Sequence, residues 1–179
     1  MSGPSSAVSS AAPVDDPRAL RQLFGHVPSG LVTVAAIGAD GPVGVVVSSF
    51  TSVSLDPPLV SVNIGRSSST LPVLRAASRW GLSVLAEDQG PVADRFRLPA
   101  AERFRDLDWI TDSGGAVHVV GAVATLTTTP VNVIAAGDHD IAILALTDYT
   151  HPATAGQPLV FHRSRFHRLD RSSPKEILR

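Results

Sequence analysis

The sequence predicts an all-β dominated protein, an antiparallel β-barrel with only a few short helices. β-branched runs recur along the chain, and Gly/Asp/Pro clusters separate several of them, a pattern typical of hairpins. Strands and helices do not alternate in the way that a doubly wound parallel sheet requires. A closed barrel is favoured because closure leaves no strand edge exposed.

Eight predicted strands follow one another along the chain: 31–37, 43–49, 58–64, 80–86, 117–129, 131–135, 141–149 and 158–166. The turns GADGP and AGDHD join two pairs of them as hairpins. Three short helices complete the set. The first begins at Asp16 and Pro17, an N-cap followed by a proline in the first helical position. The second begins near Ser69 and Thr70, and the third lies around 89–97.

The composition indicates one folded domain. The 179 residues are 44% apolar and 17% charged, so the chain has enough apolar surface for a core of its own. We expect this domain to span 17–170, between flexible tails at 1–16 and 171–179. The absence of cysteine excludes disulfides, thiolate metal sites and a cysteine nucleophile.

Charge and hydropathy argue against two classes of partner. A net charge of −1 gives no overall attraction to nucleic acid or to an anionic membrane. No window reaches the roughly 18 apolar residues of a membrane-spanning helix. The segment 1–16 lacks the basic and apolar regions of a secretory signal, so we expect a cytoplasmic protein.

Familiar catalytic motifs are absent from the sequence. It has neither a G-x-S-x-G nucleophile elbow nor a Walker loop, and its glycines at 38, 41 and 44 do not fit the G-x-G-x-x-G fingerprint. His162 and His167 are five residues apart in one predicted strand, which places their side chains on opposite faces. We therefore predict no metal site.

Four segments carry more polar residues than a strand or turn requires. The first, 47–60, is rich in hydroxyls that either bind a planar heterocycle or bond to local backbone. The second, 65–72, leads into a helix and offers either an anion site or an ordinary N-cap. His139, on a hairpin turn, is either an anion contact or a solvated residue. Arg163 and Arg165 share a strand face, where they form a cationic wall or protect an edge strand.

Together and in this order, these segments resemble the flavin reductase family with the FMN-binding split-barrel fold. Members of that family are the small reductase components of two-component flavin monooxygenases. The most specific piece is GVVVSSFTSVSLDPPLV at 44–60. The family order continues with RSSST at 66–70, ADRF at 93–96, AGDHDI at 136–141 and PLVFHRSRF at 158–166. The likeness covers about residues 18–169.

The resemblance implies a homodimer of Greek-key split β-barrels, with one flavin site per subunit near the interface. It also implies that His139 faces the nicotinamide of NADH or NADPH as a binding and orienting residue. The expected flavin is FMN, with FAD as the alternative. By matching positions, its contacts are Val47, Ser48, Ser49, Ser52, Val53 and Ser54 along the ring and ribityl chain, Arg66, Ser68, Ser69 and Thr70 at the phosphate, and Phe96 from the third helix.

The implied activity is that of an NAD(P)H:flavin oxidoreductase that supplies reduced flavin to a partner monooxygenase. Three residues depart from the family pattern. Val46 stands where threonine is frequent, and Asp140 would add negative charge near an anionic cofactor. Leu144, in place of a glycine, would narrow the site or shift what packs there. The choices between FMN and FAD and between NADH and NADPH therefore stay open. So do two other readings, a flavin- or haem-binding carrier or sensor without turnover and a purely structural interaction barrel.

Overall fold

The computed structural model describes residues 14–153 and 156–170. The predicted C-terminal tail at 171–179 lies outside these residues. Of the predicted N-terminal tail only 14–16 are described, and they form a turn that leads into the first helix, where the side chain of Asp16 accepts a hydrogen bond from the backbone N–H of Arg18.

The described residues form twelve strands and three α-helices. The strands are β1 (Ser29–Gly30), β2 (Val32–Gly38), β3 (Gly41–Val47), β4 (Thr51–Leu55), β5 (Pro58–Gly65), β6 (Trp80–Val84), β7 (Trp109–Thr111), β8 (Val117–Val119), β9 (Ala124–Ala136), β10 (His139–Thr150), β11 (Val160–His162) and β12 (Arg165–His167). The helices are α1 (Pro17–Phe24), α2 (Leu71–Ala76) and α3 (Gly90–Arg95), with a 3-10 helix at Ala100–Glu102. None of the described helices combines the length and the apolar character that a membrane crossing requires.

Seven strands form one sheet in the order β3-β2-β6-β9-β10-β5-β4, and every neighbouring pair is antiparallel. A three-stranded sheet, β1-β11-β12, and the pair β7-β8 complete the described structure. The prediction of a mostly β, antiparallel protein is confirmed. Strands β3 and β4 lie at opposite ends of the sheet order although only 48–50 separate them in sequence, so the chain passes directly from one edge of the sheet to the other.

Two predicted strands are divided in the structure. The prediction of one strand over 117–129 is wrong because the chain turns between β8 and β9, where Gly121 has a φ of +81°. β9 instead runs on through Pro130, so the predicted strand 131–135 is its second half. A register shift in the pairing with β10 next to Pro130 accommodates the missing backbone N–H.

The predicted strand 158–166 is also divided. Arg163 and Ser164 have φ values of +48° and +62° and turn the chain back, so that β11 pairs with β12. Arg163 and Arg165 therefore do not share a strand face. The same turn brings the rings of His162 and His167 to a centroid distance of 5.6 Å. Within the described ranges, no group of three or more His, Cys, Asp or Glu side chains could hold a metal ion.

The main core lies under the seven-stranded sheet and centres on Trp80, which is fully buried. Its indole N–H donates to the carbonyl of Leu74 in α2 at 2.7 Å, and its own carbonyl accepts from the hydroxyl of Thr128 in β9 at 3.0 Å. These bonds satisfy polar groups that burial would otherwise leave unpaired. Leu144 belongs to this core as well, so it supports the sheet from inside.

The crossing of β8 over β6 requires a glycine at position 81. A Cβ atom there would lie 2.2 Å from the carbonyl oxygen of Val117, which is backbone and cannot rotate away. We predict that Gly81→Ala lowers the free energy of unfolding by about 2–3 kcal/mol, since overpacking forces the two strands apart. Gly30→Ala is the control because nothing lies within 4 Å of its Cβ position. Equal urea midpoints for the two variants would contradict this account of the crossing.

His118 makes stability depend on pH. Burial lowers the pKa of its imidazole, and a backbone hydrogen bond with Leu82 and the charges of Asp112 and Asp148 oppose this shift without cancelling it. As the pH falls through about 6.5 the unfolded chain takes up a proton that the folded protein does not bind, so stability is lost. We predict that His118→Gln flattens the slope of unfolding free energy between pH 7.5 and 5, whereas His167→Gln, at an exposed site, keeps it. A slope unchanged by His118→Gln would refute the assignment.

Candidate functional site

A groove of about 950 Å³ opens where β3, β5 and the β9–β10 turn meet the first helix. The pairing of β10 with β5 places His139 directly opposite Gly65, and so brings the turn beside the end of β5. The groove is lined by Pro17, Leu20, Arg21 and Phe24 of α1, by 45–49, by 63–65, and by Ala136, Asp138, His139 and Ile141.

Three residues of the predicted flavin segment line the groove. These are Val47, Ser48 and Ser49, which follow one another where β3 ends. The Ser49 hydroxyl accepts a hydrogen bond from the backbone N–H of Asn63 at 2.8 Å and donates to its carbonyl at 3.2 Å. Ser49 therefore holds the chain after β3 against β5. Ser48 is exposed and lines the groove together with both polar and apolar residues.

The rest of that segment lies apart from the groove. Ser52, Val53 and Ser54 belong to the edge strand β4, and a bulge at Val53 shifts the register of its pairing with β5. Ser52 and Val53 are exposed and Ser54 is half-buried. A flavin contact by these three residues stays a prediction, and it requires a ligand or partner that reaches the edge of the sheet.

The predicted phosphate segment begins next to the groove. The backbone N–H of Arg66 donates to the carbonyl of Asp138 at 2.9 Å, which fastens the end of β5 to the β9–β10 turn. Ser69 is exposed, and the Ser68 hydroxyl accepts from the backbone N–H of Thr70 at 3.3 Å. Arg66, Ser68 and Ser69 thus form a turn that adjoins the groove without lining it.

Thr70 and Phe96 differ from the prediction. Thr70 is 1% exposed, and its hydroxyl donates to the carbonyl of Gly44 while it accepts from Arg103 at 3.0 Å. Phe96 is 4% exposed and packs edge-on against Phe104, with ring centroids 5.4 Å apart. Both side chains are committed to the interior of the subunit, and neither lines the groove.

Asp140 is buried and paired. It is 1% exposed and hydrogen-bonds to the guanidinium of Arg75, while Nε of Arg66 lies 3.7 Å from its other oxygen. A buried carboxylate is tolerated when cations compensate it. One negative and two positive charges leave this group with a net charge of +1, so Asp140 does not make the end of β5 acidic. It fixes two cations there instead.

His139 projects from the β9–β10 turn with 48% of its side chain exposed. Its Nδ1 lies 2.7 Å from a carboxylate oxygen of Asp138, and this bond lowers the pKa of the Asp138 carboxyl. Nε2 lies 3.8 Å from the position that a Cβ would take at Gly65. The imidazole therefore lies over the glycine, with one nitrogen engaged by Asp138 and the other directed toward the groove wall.

Sequence reasoning missed the wall formed by α1. Leu20, Arg21 and Phe24 line the groove from one face of this helix, and Phe24 remains 65% exposed. The four-residue spacing of Leu20 and Phe24 was a usable signal for an apolar stripe on this helix. Asn63 was also missed, although it is the one amide in an apolar strand.

The amino-acid sequence matches a known protein family. The family described as "Flavin reductase like domain" matches residues 24–170. The chain belongs to this family. Its resemblance to flavin reductases is thereby confirmed over most of its length.

Individual relatives agree with the family match. "FMN reductase (NADH) SmoA" from Agrobacterium fabrum is 34% identical over 157 residues, which cover 88% of this chain and 88% of that protein. "Flavin-dependent monooxygenase, reductase subunit HsaB" from Mycobacterium tuberculosis is 30% identical over 152 residues, covering 84% of this chain and 81% of the relative. Other relatives are longer, and this chain spans 47% of one and 60% of another.

A solved structure also matches this flavin reductase family member. It is the NADH:FAD oxidoreductase SgcE6 of Streptomyces globisporus C-1027 in complex with NAD and FAD fragments, with a TM-score of 0.83 and 31% identity. The match covers 91% of this chain and 100% of that one. The fold predicted for the chain, a flavin reductase split barrel, is confirmed.

The two adjacent serines of the groove provide a matched pair of variants. Ser49→Ala removes both bonds to Asn63 and should lower the unfolding free energy by about 1 kcal/mol, because β5 loses its tie to the chain after β3. Ser48→Ala changes an exposed hydroxyl beside it and should leave stability within about 0.5 kcal/mol. Chemical denaturation measures both. A loss confined to Ser48→Ala would reverse the roles that we assign.

Proposed function

We propose that this protein is an NAD(P)H-dependent flavin reductase that binds FMN, with FAD as the alternative, in the groove beside His139. The proposal is carried by one observation: in a chain of this family, 47–49 and His139 line the same groove of about 950 Å³. When bound together, the nicotinamide and the flavin supply the hydride donor and acceptor.

The residues of the groove fit such a ligand. Its volume falls in the range of cofactor sites, and its lining mixes apolar side chains such as Val46 and Ile141 with a few polar groups. The hydroxyl of Ser48 and the amide of Asn63 offer hydrogen bonds to the polar edge of a flat heterocycle. Arg66, whose backbone N–H is bonded to Asp138 of the groove lining, supplies positive charge for a phosphate.

Orientation is the contribution that this chain makes to the reaction. Two flat rings must be held face to face at close range, and the groove walls limit their approach. Nδ1 of His139 lies 2.7 Å from a carboxylate oxygen of Asp138, and this bond favours one orientation of the half-exposed imidazole. Because water can protonate the reduced product, the reaction needs no general acid, and His139 binds and orients the nicotinamide.

The proposal includes a partner and a second copy of the chain. A relative named as the reductase subunit of a flavin-dependent monooxygenase supports delivery of reduced flavin to a separate oxygenase. Exposed apolar residues support a homodimer: on β4, Val53 is 49% and Leu55 94% exposed, and on β9, Val131 is 59% exposed. Dimerisation would cover them and give Ser52 and Ser54 a partner surface. A cytoplasmic location stays a prediction from the sequence.

Steady-state oxidation of NADH and NADPH, each with FMN, FAD and riboflavin, tests the activity. We expect a flavin-dependent rate with at least one pair, and a lower KM for FMN than for riboflavin because the cations near the groove recognise phosphate. Flavin binding without nicotinamide oxidation in any of these combinations would indicate a carrier or sensor, not an enzyme. An interaction barrel would show neither a rate nor a thermal shift with FMN or FAD.

His139→Ala distinguishes an orienting residue from an acid. We predict that it raises KM for the nicotinamide about tenfold and lowers kcat by less, since contacts to the bound ring are lost while protons still come from water. His167→Ala, on the hairpin outside the groove, should leave both constants unchanged. Loss of kcat at constant KM would show instead that His139 acts on the transition state.

A further inference from the structure

A second pocket of about 410 Å³ lies between α1 and the turn that joins β11 to β12. Arg18, Arg21 and Gln22 line it from the helix, His26 from the segment after the helix, and Arg163 and Ser164 from the turn. Arg18 and Arg21 are three residues apart on α1, so they lie on the same face of the helix. The pocket is separate from the core and opens to solvent.

The pocket concentrates positive charge. Three of its lining residues are arginines and a fourth is a histidine, and none of its described lining residues is an aspartate or glutamate. Nη2 of Arg163 lies 3.0 Å from Nδ1 and 3.2 Å from Nε2 of His26. The guanidinium of Arg163 thus lies against the imidazole of His26, and two further guanidiniums line the pocket from the helix, an arrangement that suits an anion between them.

The turn that presents Arg163 is built into the fold. Arg163 and Ser164 both adopt positive φ, a conformation that costs free energy in residues other than glycine. The backbone N–H of Arg163 donates to the carbonyl of Gly25 at 3.0 Å, which fixes the turn against the end of α1. That bond uses only the backbone, so the guanidinium remains directed toward His26 and the pocket.

The pocket adjoins the flavin groove at one residue. Arg21 lines both of them, so the two lie side by side at α1, and a ligand long enough to pass Arg21 would contact both. A mononucleotide carries a single phosphate, at the end of its sugar chain. A dinucleotide continues from that phosphate through a second one to an adenosine, which lies farther from the reacting ring.

We propose that this basic pocket binds the phosphate through which the adenosine half of a dinucleotide is attached. FAD, NADH and NADPH all carry an adenosine attached through such a phosphate, and substrates that lack the adenosine half distinguish the flavin from the nicotinamide. The inference rests on the proposed function, because it assigns to the reduced nicotinamide or to the flavin a second contact beyond the groove. Planar guanidiniums bind phosphate oxygens in pairs, which suits three arginines around one pocket.

Arg163→Gln tests the pocket with truncated substrates. In the first arm FMN is the acceptor, and NADH is compared as donor with reduced nicotinamide mononucleotide, which lacks the adenosine half. In the second arm reduced nicotinamide mononucleotide is the donor, and FAD is compared with FMN as acceptor. We expect KM to rise about tenfold for the dinucleotide that uses the pocket and to stay constant for both mononucleotides. Arg18→Gln should act in the same direction. Arg165→Gln, on the same hairpin but outside both pockets, is the matched control.

Two outcomes overturn the inference. One is an unchanged KM for NADH, NADPH and FAD in Arg163→Gln; the other is an equal rise for mononucleotides and dinucleotides, which would indicate a general disturbance of the groove. Calorimetric titration with ADP keeps the test independent of turnover. If the unmodified protein oxidises neither NADH nor NADPH, the proposed function fails. The pocket is still supported in that case if Arg163→Gln weakens ADP binding about tenfold and Arg165→Gln does not. No binding of ADP would refute it.

Discussion

The pairing of β10 with β5 is the constraint on which the site depends. Its register places His139 opposite Gly65 and Asp140 opposite Ile64, so that one residue faces the groove and the next faces the interior. A slip of one residue would reverse these faces, burying His139 and exposing Asp140. Because the buried carboxylate of Asp140 finds its cations in only one alignment, the ion pairs with Arg75 and Arg66 stabilise the register that forms the groove.

A second constraint comes from the crossing between the two edges of the sheet. The chain leaves β3 at Val47 and enters β4 at Thr51, and Ser49 is bonded to both backbone groups of Asn63 on the way. The groove lies where this short crossing leaves a gap beside α1. The two adjacent serines therefore differ in role: Ser49 bonds to β5, whereas Ser48 is exposed in the groove.

The sequence predicted the fold well because alternating β-branched runs and their turns are local patterns. It failed where a single residue changes the direction of the chain. Gly121 ends β8 within an apolar run, and Arg163 adopts a left-handed turn without a glycine to mark it. The motif at His139 points to a residue that lines the groove, and its role as a nicotinamide contact stays a prediction. The interior position of Thr70 could not be predicted, because a hydroxyl at a helix start looks the same whether it faces solvent or the carbonyl of Gly44.

A crystal structure of the protein with FMN tests the central claim most directly. Our account places the isoalloxazine ring in the groove between 45–49 and His139, with the phosphate toward Arg66. The same crystals show whether Ser49 keeps its bonds to Asn63 when the ligand is bound. Electron density for the flavin at another surface, with the groove closed by the protein's own side chains, would contradict the account.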